Sequence, residues 1–156
     1  MGILSFALNT RRLLKNAGPQ VVLSLERVPG TQVYRAGDGC HREFLSRRAP
    51  YLSPLARAAQ RLSLFHRVML RLEGRLFRDA GLRRVIANSR QVRDEIIRLY
   101  GVDPARLRVI YNGLDRQRFH PLDPNAAAAL RQRLGAPPDS PVVLFVGSGF
   151  ERKGLP

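Results

Sequence analysis

Apolar residues in this chain gather in two ways, as short unbroken runs and as stripes with a helical step. The runs are Gln20-Val21-Val22-Leu23-Ser24-Leu25, Arg83-Arg84-Val85-Ile86-Ala87-Asn88, Leu107-Arg108-Val109-Ile110-Tyr111 and Pro141-Val142-Val143-Leu144-Phe145-Val146. Short runs of this kind, bounded by turn residues, predict strands buried as in a parallel sheet. Gln32-Val33-Tyr34-Arg35-Ala36 is a weaker strand candidate. It is entered through the Pro29-Gly30 turn and ended by the loop Gly37-Asp38-Gly39.

The longest stripe is Leu55, Ala58, Ala59, Leu62, Phe65, Met69, Leu72 and Leu76, at steps of three and four. It predicts a helix from Pro54 to Ala80, broken near Ser63 or Gly74. Arg57 and Arg61 share one face of it, and Arg67, Arg71, Arg75 and Arg78 another. A shorter stripe, Val92, Ile96, Ile97 and Leu99, predicts a helix over Gln91–Tyr100. Ser89 stands where an N-cap hydroxyl is needed and Gly101 where a helix closes. With the runs on either side this makes strand, helix, strand within about 30 residues, a βαβ unit, and hence an α/β fold with a parallel sheet. From Leu114 to Ser140 the composition shifts, with four prolines around a short Ala126–Leu134 helix, and predicts a linker. The organisation expected is a domain over 1–113, a linker over 114–140, and the first strand and loop of a second domain over 141–156. There is no internal repeat.

Composition narrows the function classes. With 44% hydrophobic and 25% charged residues, the 156-residue chain has the make-up of a folded globular protein. Its formal charge of +15 points to an anionic partner: nucleic acid, an anionic membrane surface or a phosphorylated substrate. Nearly all of that charge is arginine, which biased codon usage accounts for equally well. Cys40 is the sole cysteine, so no disulfide can form within the chain, in keeping with a reducing, cytoplasmic setting. No apolar run approaches the ~20 residues of a membrane span. Met1–Leu8 is apolar, but its basic residues follow the apolar stretch, the reverse of a secretory signal. It reads as part of a folded unit or its broken edge.

Two loops can carry chemistry. In Gly147-Ser148-Gly149-Phe150-Glu151-Arg152-Lys153-Gly154, Gly147 and Gly149 would let backbone approach a ligand, and Arg152 and Lys153 would hold a diphosphate. The spacing is not that of a Walker A loop, and a plain structural turn is the competing reading. In Gly37-Asp38-Gly39-Cys40-His41-Arg42-Glu43, Asp38 can serve as a general base on a sugar hydroxyl. The alternative is an Asx turn in which Asp38 caps its own backbone. His41 and Glu43 lack a third ligand, so no metal is expected. His41, His66 and His120 are scattered without evident partners, and no Ser-His-Asp hydrolase is supported. The seven Phe and four Tyr form no stacking platform, which argues against nucleic acid.

Taken in order, Val85–Ser89, Asp94–Ile97, Tyr100-Gly101-Val102, Val109–Asp115, Arg118–Pro121 and Phe145–Gly147 through Arg152–Leu155 resemble the retaining GT-B glycosyltransferases of family 4. Tyr34–Cys40 and Gly147–Gly154 look most like the lipopolysaccharide core α-1,3-glucosyltransferase branch. The resemblance implies two Rossmann-like domains facing a cleft, an acceptor-binding N-terminal one, here partial, and the start of a C-terminal one that binds UDP-glucose. It implies a metal-independent, cofactor-free transfer of a hexose to a lipid-linked saccharide acceptor at the cytoplasmic face of the inner membrane. Asp38 would lie near acceptor and sugar, Arg152 and Lys153 would hold the donor diphosphate, and the basic 54–80 helix would dock on the membrane. The family's opening strand with its Gly-rich loop has no counterpart before Gln20, and its paired donor-binding glutamates are absent. The expectation is therefore a chain truncated at both ends and inactive in isolation. The competing expectation is a small basic module that binds nucleic acid or anionic membrane without catalysis.

Overall fold

The structure is a computed structural model that describes residues 2–137, 139–147 and 149. It divides into two units, 1–113 and 114–156. The first unit is built on a four-stranded sheet: β1 (Leu23–Ser24), β2 (Val33–Ala36), β3 (Arg84–Ala87) and β4 (Leu107–Val109). The strands lie in chain order and every neighbouring pair is parallel. Parallel neighbours need long crossovers. Helices α2 (His41–Arg48), α3 (Pro54–Leu62) and α4 (Leu64–Phe77) lie between β2 and β3, and α5 (Arg90–Tyr100) between β3 and β4. The parallel α/β sheet expected from the βαβ pattern is present.

Alternate strand residues build the core. Tyr34 and Ala36 of β2, Val85 and Ala87 of β3 and Leu107 of β4 are buried in one cluster with Leu76 and Phe77 of α4 and Val92 and Ile96 of α5. Tyr34 meets Phe77 edge-on at 5.8 Å between ring centroids, and Phe77 stacks at a tilt on Tyr100 at 4.7 Å. Helix α5 starts and stops where its sequence requires. Ser89 Oγ accepts the Val92 amide, and Gly101 closes the helix in the left-handed region at φ 64°. Asp103 caps a short 3-10 turn at Pro104–Arg106 that leads into β4.

Three expectations need correction. The Gln20–Leu25 run supplies only the two-residue β1, with Val21, Leu23 and Leu25 exposed. Among the described strands it lies at the edge of the sheet, with β2 as its one ladder neighbour. The 54–80 helix breaks at Ser63, one of the two places expected, its hydroxyl capping α4, while Gly74 lies unbroken inside α4. Its stripe is not uniformly buried: Leu72 and Leu76 are core, yet Leu55 is 85% and Leu62 75% exposed. The run Val142–Val146 forms no strand, and Val143 is 95% exposed. Apolar side chains of an extended segment are buried only when a sheet is built around it, and among the described residues no strand pairs here.

Two elements were not foreseen. The apolar N-terminus is helix α1 (Ile3–Ala17), closed by Gly18 at φ 58°. Helix α2 starts directly after Cys40, where the sequence suggested only a loop. In the second unit, α6 (Pro124–Arg133) is capped by Asp123, which accepts the Asn125 and Ala126 amides. None of the described residues from Leu114 onward is buried. No helix among the described residues is long and apolar enough to cross a membrane.

Candidate acceptor site at the carboxyl edge of the sheet

Register sets the site. Ala36, Ala87 and Val109 are paired across β2, β3 and β4, so the three strands end at one level. The segments Gly37–Cys40, Asn88-Ser89 and Ile110–Asn112 therefore leave the sheet side by side at its carboxyl edge. In open parallel sheets this edge is where ligands bind. Cross-links tie the segments together. Asn88 Nδ2 donates to the Gly37 carbonyl at 2.6 Å, and Arg35 Nη2 donates to Asn112 Oδ1 at 2.6 Å. Asn88 Oδ1 is buried and has no hydrogen-bond partner among the described residues.

Asp38 is exposed at this edge, and among the described residues its carboxylate accepts no hydrogen bond, so the Asx turn is not made. It sits between Gly37 and Gly39. Gly39 adopts φ 71°, a conformation open to glycine at little cost. A Cβ there would make only an ordinary contact with Val92 Cγ2 at 3.6 Å, so the backbone conformation sets the requirement. The second glycine is thus required by the turn, and the turn is what presents the carboxylate.

Beneath the loop lies a buried polar cluster that the sequence did not reveal. Glu73 of α4 is fully buried. Its Oε2 accepts from Arg27 Nε at 3.0 Å and the His41 amide at 2.6 Å, and its Oε1 accepts from the Arg42 amide at 3.1 Å and the Tyr100 hydroxyl. A buried carboxylate is tolerated only when its lone pairs are satisfied, and here each oxygen has two donors. Burial and the Glu73 hydrogen bond raise the Tyr100 phenol well above its usual range. Burial pushes the Cys40 thiol up to about 12, which makes it a core residue and no nucleophile. The signal available in advance was a lone glutamate on the apolar face of a helix.

His41 and His66 prove to be partners: His41 Nε2 and His66 Nδ1 lie 3.1 Å apart and share a hydrogen bond between α2 and α4. Burial lowers the titration of both, with Arg48 lowering His66 further. Among the described residues no group of three or more His, Cys, Asp or Glu side chains is placed to hold a metal. On the surface, Glu43 of α2 accepts from Arg98 of α5 and Arg47, whose hydrogen bonds hold its carboxyl below the ordinary carboxylate range.

The remaining candidate residues lie elsewhere. Arg57, Arg61, Arg67, Arg71, Arg75 and Arg78 are all exposed. Arg57 Nε is anchored to the Ala49 carbonyl at 3.1 Å. Pro54, Arg57, Ala58, Arg61 and Leu62 line a shallow open groove on α3. Gly147 and Gly149 are described, Gly149 with φ 70°, whereas Arg152 and Lys153 lie outside the described residues.

Comparison with known proteins agrees with this architecture. The chain is 48% identical over 64 residues to D-inositol 3-phosphate glycosyltransferase 2 of Catenulispora acidiphila, a match over 41% of this chain and 14% of that protein. It is 42% identical over 66 residues to the D-inositol 3-phosphate glycosyltransferase of Xylanimonas cellulosilytica, over 40% of this chain and 16% of that protein. The chain thus matches only a small part of these relatives' length. In fold it is similar to WaaG, a glycosyltransferase involved in lipopolysaccharide biosynthesis. That likeness has a TM-score of 0.65 at 24% identity and covers 93% of this chain and 38% of WaaG. The partial α/β unit accordingly has the GT-B fold. The model of Glycosyltransferase Family 4 matches residues 2–118, three quarters of the sequence, and the chain belongs to that family.

Proposed function

We propose that residues 1–113 form the acceptor side of a retaining glycosyltransferase that moves a hexose, glucose from UDP-glucose, onto a lipid-linked saccharide of the lipopolysaccharide-core type. The observation that carries this is the exposed Asp38 carboxylate at the carboxyl edge of the parallel sheet, between loops cross-linked by Asn88 and Arg35. An exposed carboxylate that accepts no hydrogen bond among the described residues can accept one from an acceptor hydroxyl and take up its proton as the sugar is transferred. Residues 114–140 form the linker in this reading, and 141–156 begin the nucleotide-sugar domain. There the backbone at Gly147 and Gly149 and the cations Arg152 and Lys153 stabilise the departing diphosphate without a metal. The two curated relatives act, by their names, on D-inositol 3-phosphate, so a phosphorylated cyclitol is the competing acceptor.

Saturation-transfer NMR on the chain, with a core oligosaccharide and with inositol 3-phosphate in parallel, tests the acceptor. Saturation of the oligosaccharide that Asp38→Asn weakens about tenfold supports the reading. Saturation of inositol 3-phosphate alone transfers the site to the other acceptor class.

A second reading, adhesion to an anionic membrane at the cytoplasmic face, is favoured over nucleic acid by α3. That helix sets exposed Leu55, Ala58 and Leu62 beside Arg57 and Arg61, the amphipathic arrangement of an interfacial helix. The chain should sediment with vesicles containing anionic lipid and stay in solution with neutral ones. Binding unchanged by Arg57→Ala with Arg61→Ala would exclude α3 as the contact.

A further inference from the structure

The loop that presents Asp38 is held at three points. Asn88 holds the Gly37 carbonyl, and Arg27 Nη2 donates to the Gly39 carbonyl at 2.9 Å. Glu73 takes the first two amides of α2, those of His41 and Arg42. Asp38 is the residue between these ties, and its side chain is exposed. A glutamate buried in mid-helix is a costly way to fill a core, since an apolar residue of similar volume packs there without a desolvation penalty. What Glu73 gains is reach. It gathers donors from α2, from α5 through Tyr100, and from the segment after β1 through Arg27. Arg27 in turn uses the separate nitrogens of its planar fork to hold Glu73 and Gly39 together.

We propose that Glu73 and Arg27 are positioning residues for the Asp38 loop, Glu73 acting as the internal anion of the α2 N-terminus and Arg27 suspending the loop's Gly39 carbonyl from it. A helix N-terminus favours negative charge, and here the protein's own carboxylate satisfies it. It follows that the α2 N-terminus is closed to phosphate groups of any ligand, and that the loop is rigid before acceptor arrives. The inference rests on the reading of Asp38 as the acceptor-facing carboxylate.

Native-state hydrogen exchange by NMR on the whole chain, combined with saccharide binding, tests it. In Glu73→Gln the neutral amide offers one acceptor oxygen in place of two. The His41 and Arg42 amides should exchange at least about tenfold faster, as expected for the loss of charge-assisted hydrogen bonds. The Asp38 and Gly39 amide resonances should move, while the Val85, Val92 and Ile96 amides keep the parent rates. Oligosaccharide binding should weaken about tenfold under conditions where the variant remains folded. Uniformly faster exchange across the unit, or unchanged His41 and Arg42 amides, would overturn the proposal. Should Glu73→Gln fail to fold, Arg27→Lys decides. It keeps the charge but not the fork, so the Asp38 and Gly39 resonances should move while His41 and Arg42 stay protected; stationary resonances would overturn the proposal. A parent chain that binds no saccharide rejects the acceptor reading, and the exchange pattern still reports separately on the positioning role.

Discussion

Val85-Ile86-Ala87 and Val142–Val146 are alike as sequence, short apolar runs that each open on polar or proline residues. In the fold they differ completely. The first is β3, paired with β2 on one side and β4 on the other, with Val85 1% exposed. Among the described residues the second forms no strand, and Val143, Leu144 and Val146 are largely exposed. The same contrast divides the 54–80 stretch. One stripe runs through both helices, but α4 buries Leu72 and Leu76 in the core while α3 leaves Leu55 and Leu62 outside. An apolar pattern states which face of an element can be buried. Whether it is buried depends on what the rest of the chain brings against it.

The comparison can be broken by substitution. Val85→Asp places an unpaired charge in the core and should cost at least about 3 kcal/mol in chemical denaturation of the 1–113 unit. Val143→Asp, its counterpart, should change that stability by no more than about 0.5 kcal/mol. Equal effects would show that the two runs are equivalent after all. Next in size, Leu76→Ala should cost about 2–5 kcal/mol through loss of buried area and the cavity left behind. Leu62→Ala in the same stripe should stay within about 0.5 kcal/mol. Removing the α5 cap with Ser89→Ala should cost about 1 kcal/mol, detectable as a lowered midpoint without change in denaturant slope.

The smallest effect is on pH. His41 and His66 titrate below their ordinary value of 6.5 because burial disfavours the charged rings, with the cations Arg27 near His41 and Arg48 near His66 adding to this. For His41, Glu73 acts in the opposite sense. A base with a depressed folded-state pKa binds fewer protons folded than unfolded. The stability it confers is complete above about pH 6.5 and is lost as pH falls through the folded values. Denaturation midpoints should therefore drop between neutral pH and pH 5, and the drop should shrink in His66→Gln. Glu43, lowered by Arg98 and Arg47, contributes in the same direction only at more acidic pH.

Much of the fold was legible because local signals and tertiary demands agreed. Ser89, Gly101 and the Val92/Ile96 stripe specify α5, and the runs on either side can pair only in parallel across it. The break at Ser63 was legible for a similar reason, since a serine hydroxyl can cap a new helix. Helix α2 was not legible. Its N-cap, Cys40, makes no side-chain cap, and the anion that satisfies its first amides comes from Glu73, more than thirty residues along the chain. The His41–His66 contact was hidden in the same way, by a separation that only the packing of α2 on α4 closes. At the site, the Gly-Asp-Gly pattern marked a loop at a strand end, and the structure places Asp38 exposed in that loop. What holds that turn in place is entirely long-range.

An acceptor site at the carboxyl edge of the sheet predicts where a saccharide touches this chain. Titration of the ¹⁵N-labelled protein with a core oligosaccharide should shift the amides of Asp38, Gly39, Asn88 and Asn112 together, at the carboxyl edge of the sheet, and Asp38→Asn should move the titration midpoint to about tenfold higher saccharide. Shifts confined to α3, or saturable shifts that persist unchanged in Asp38→Asn, would contradict an acceptor site at this edge.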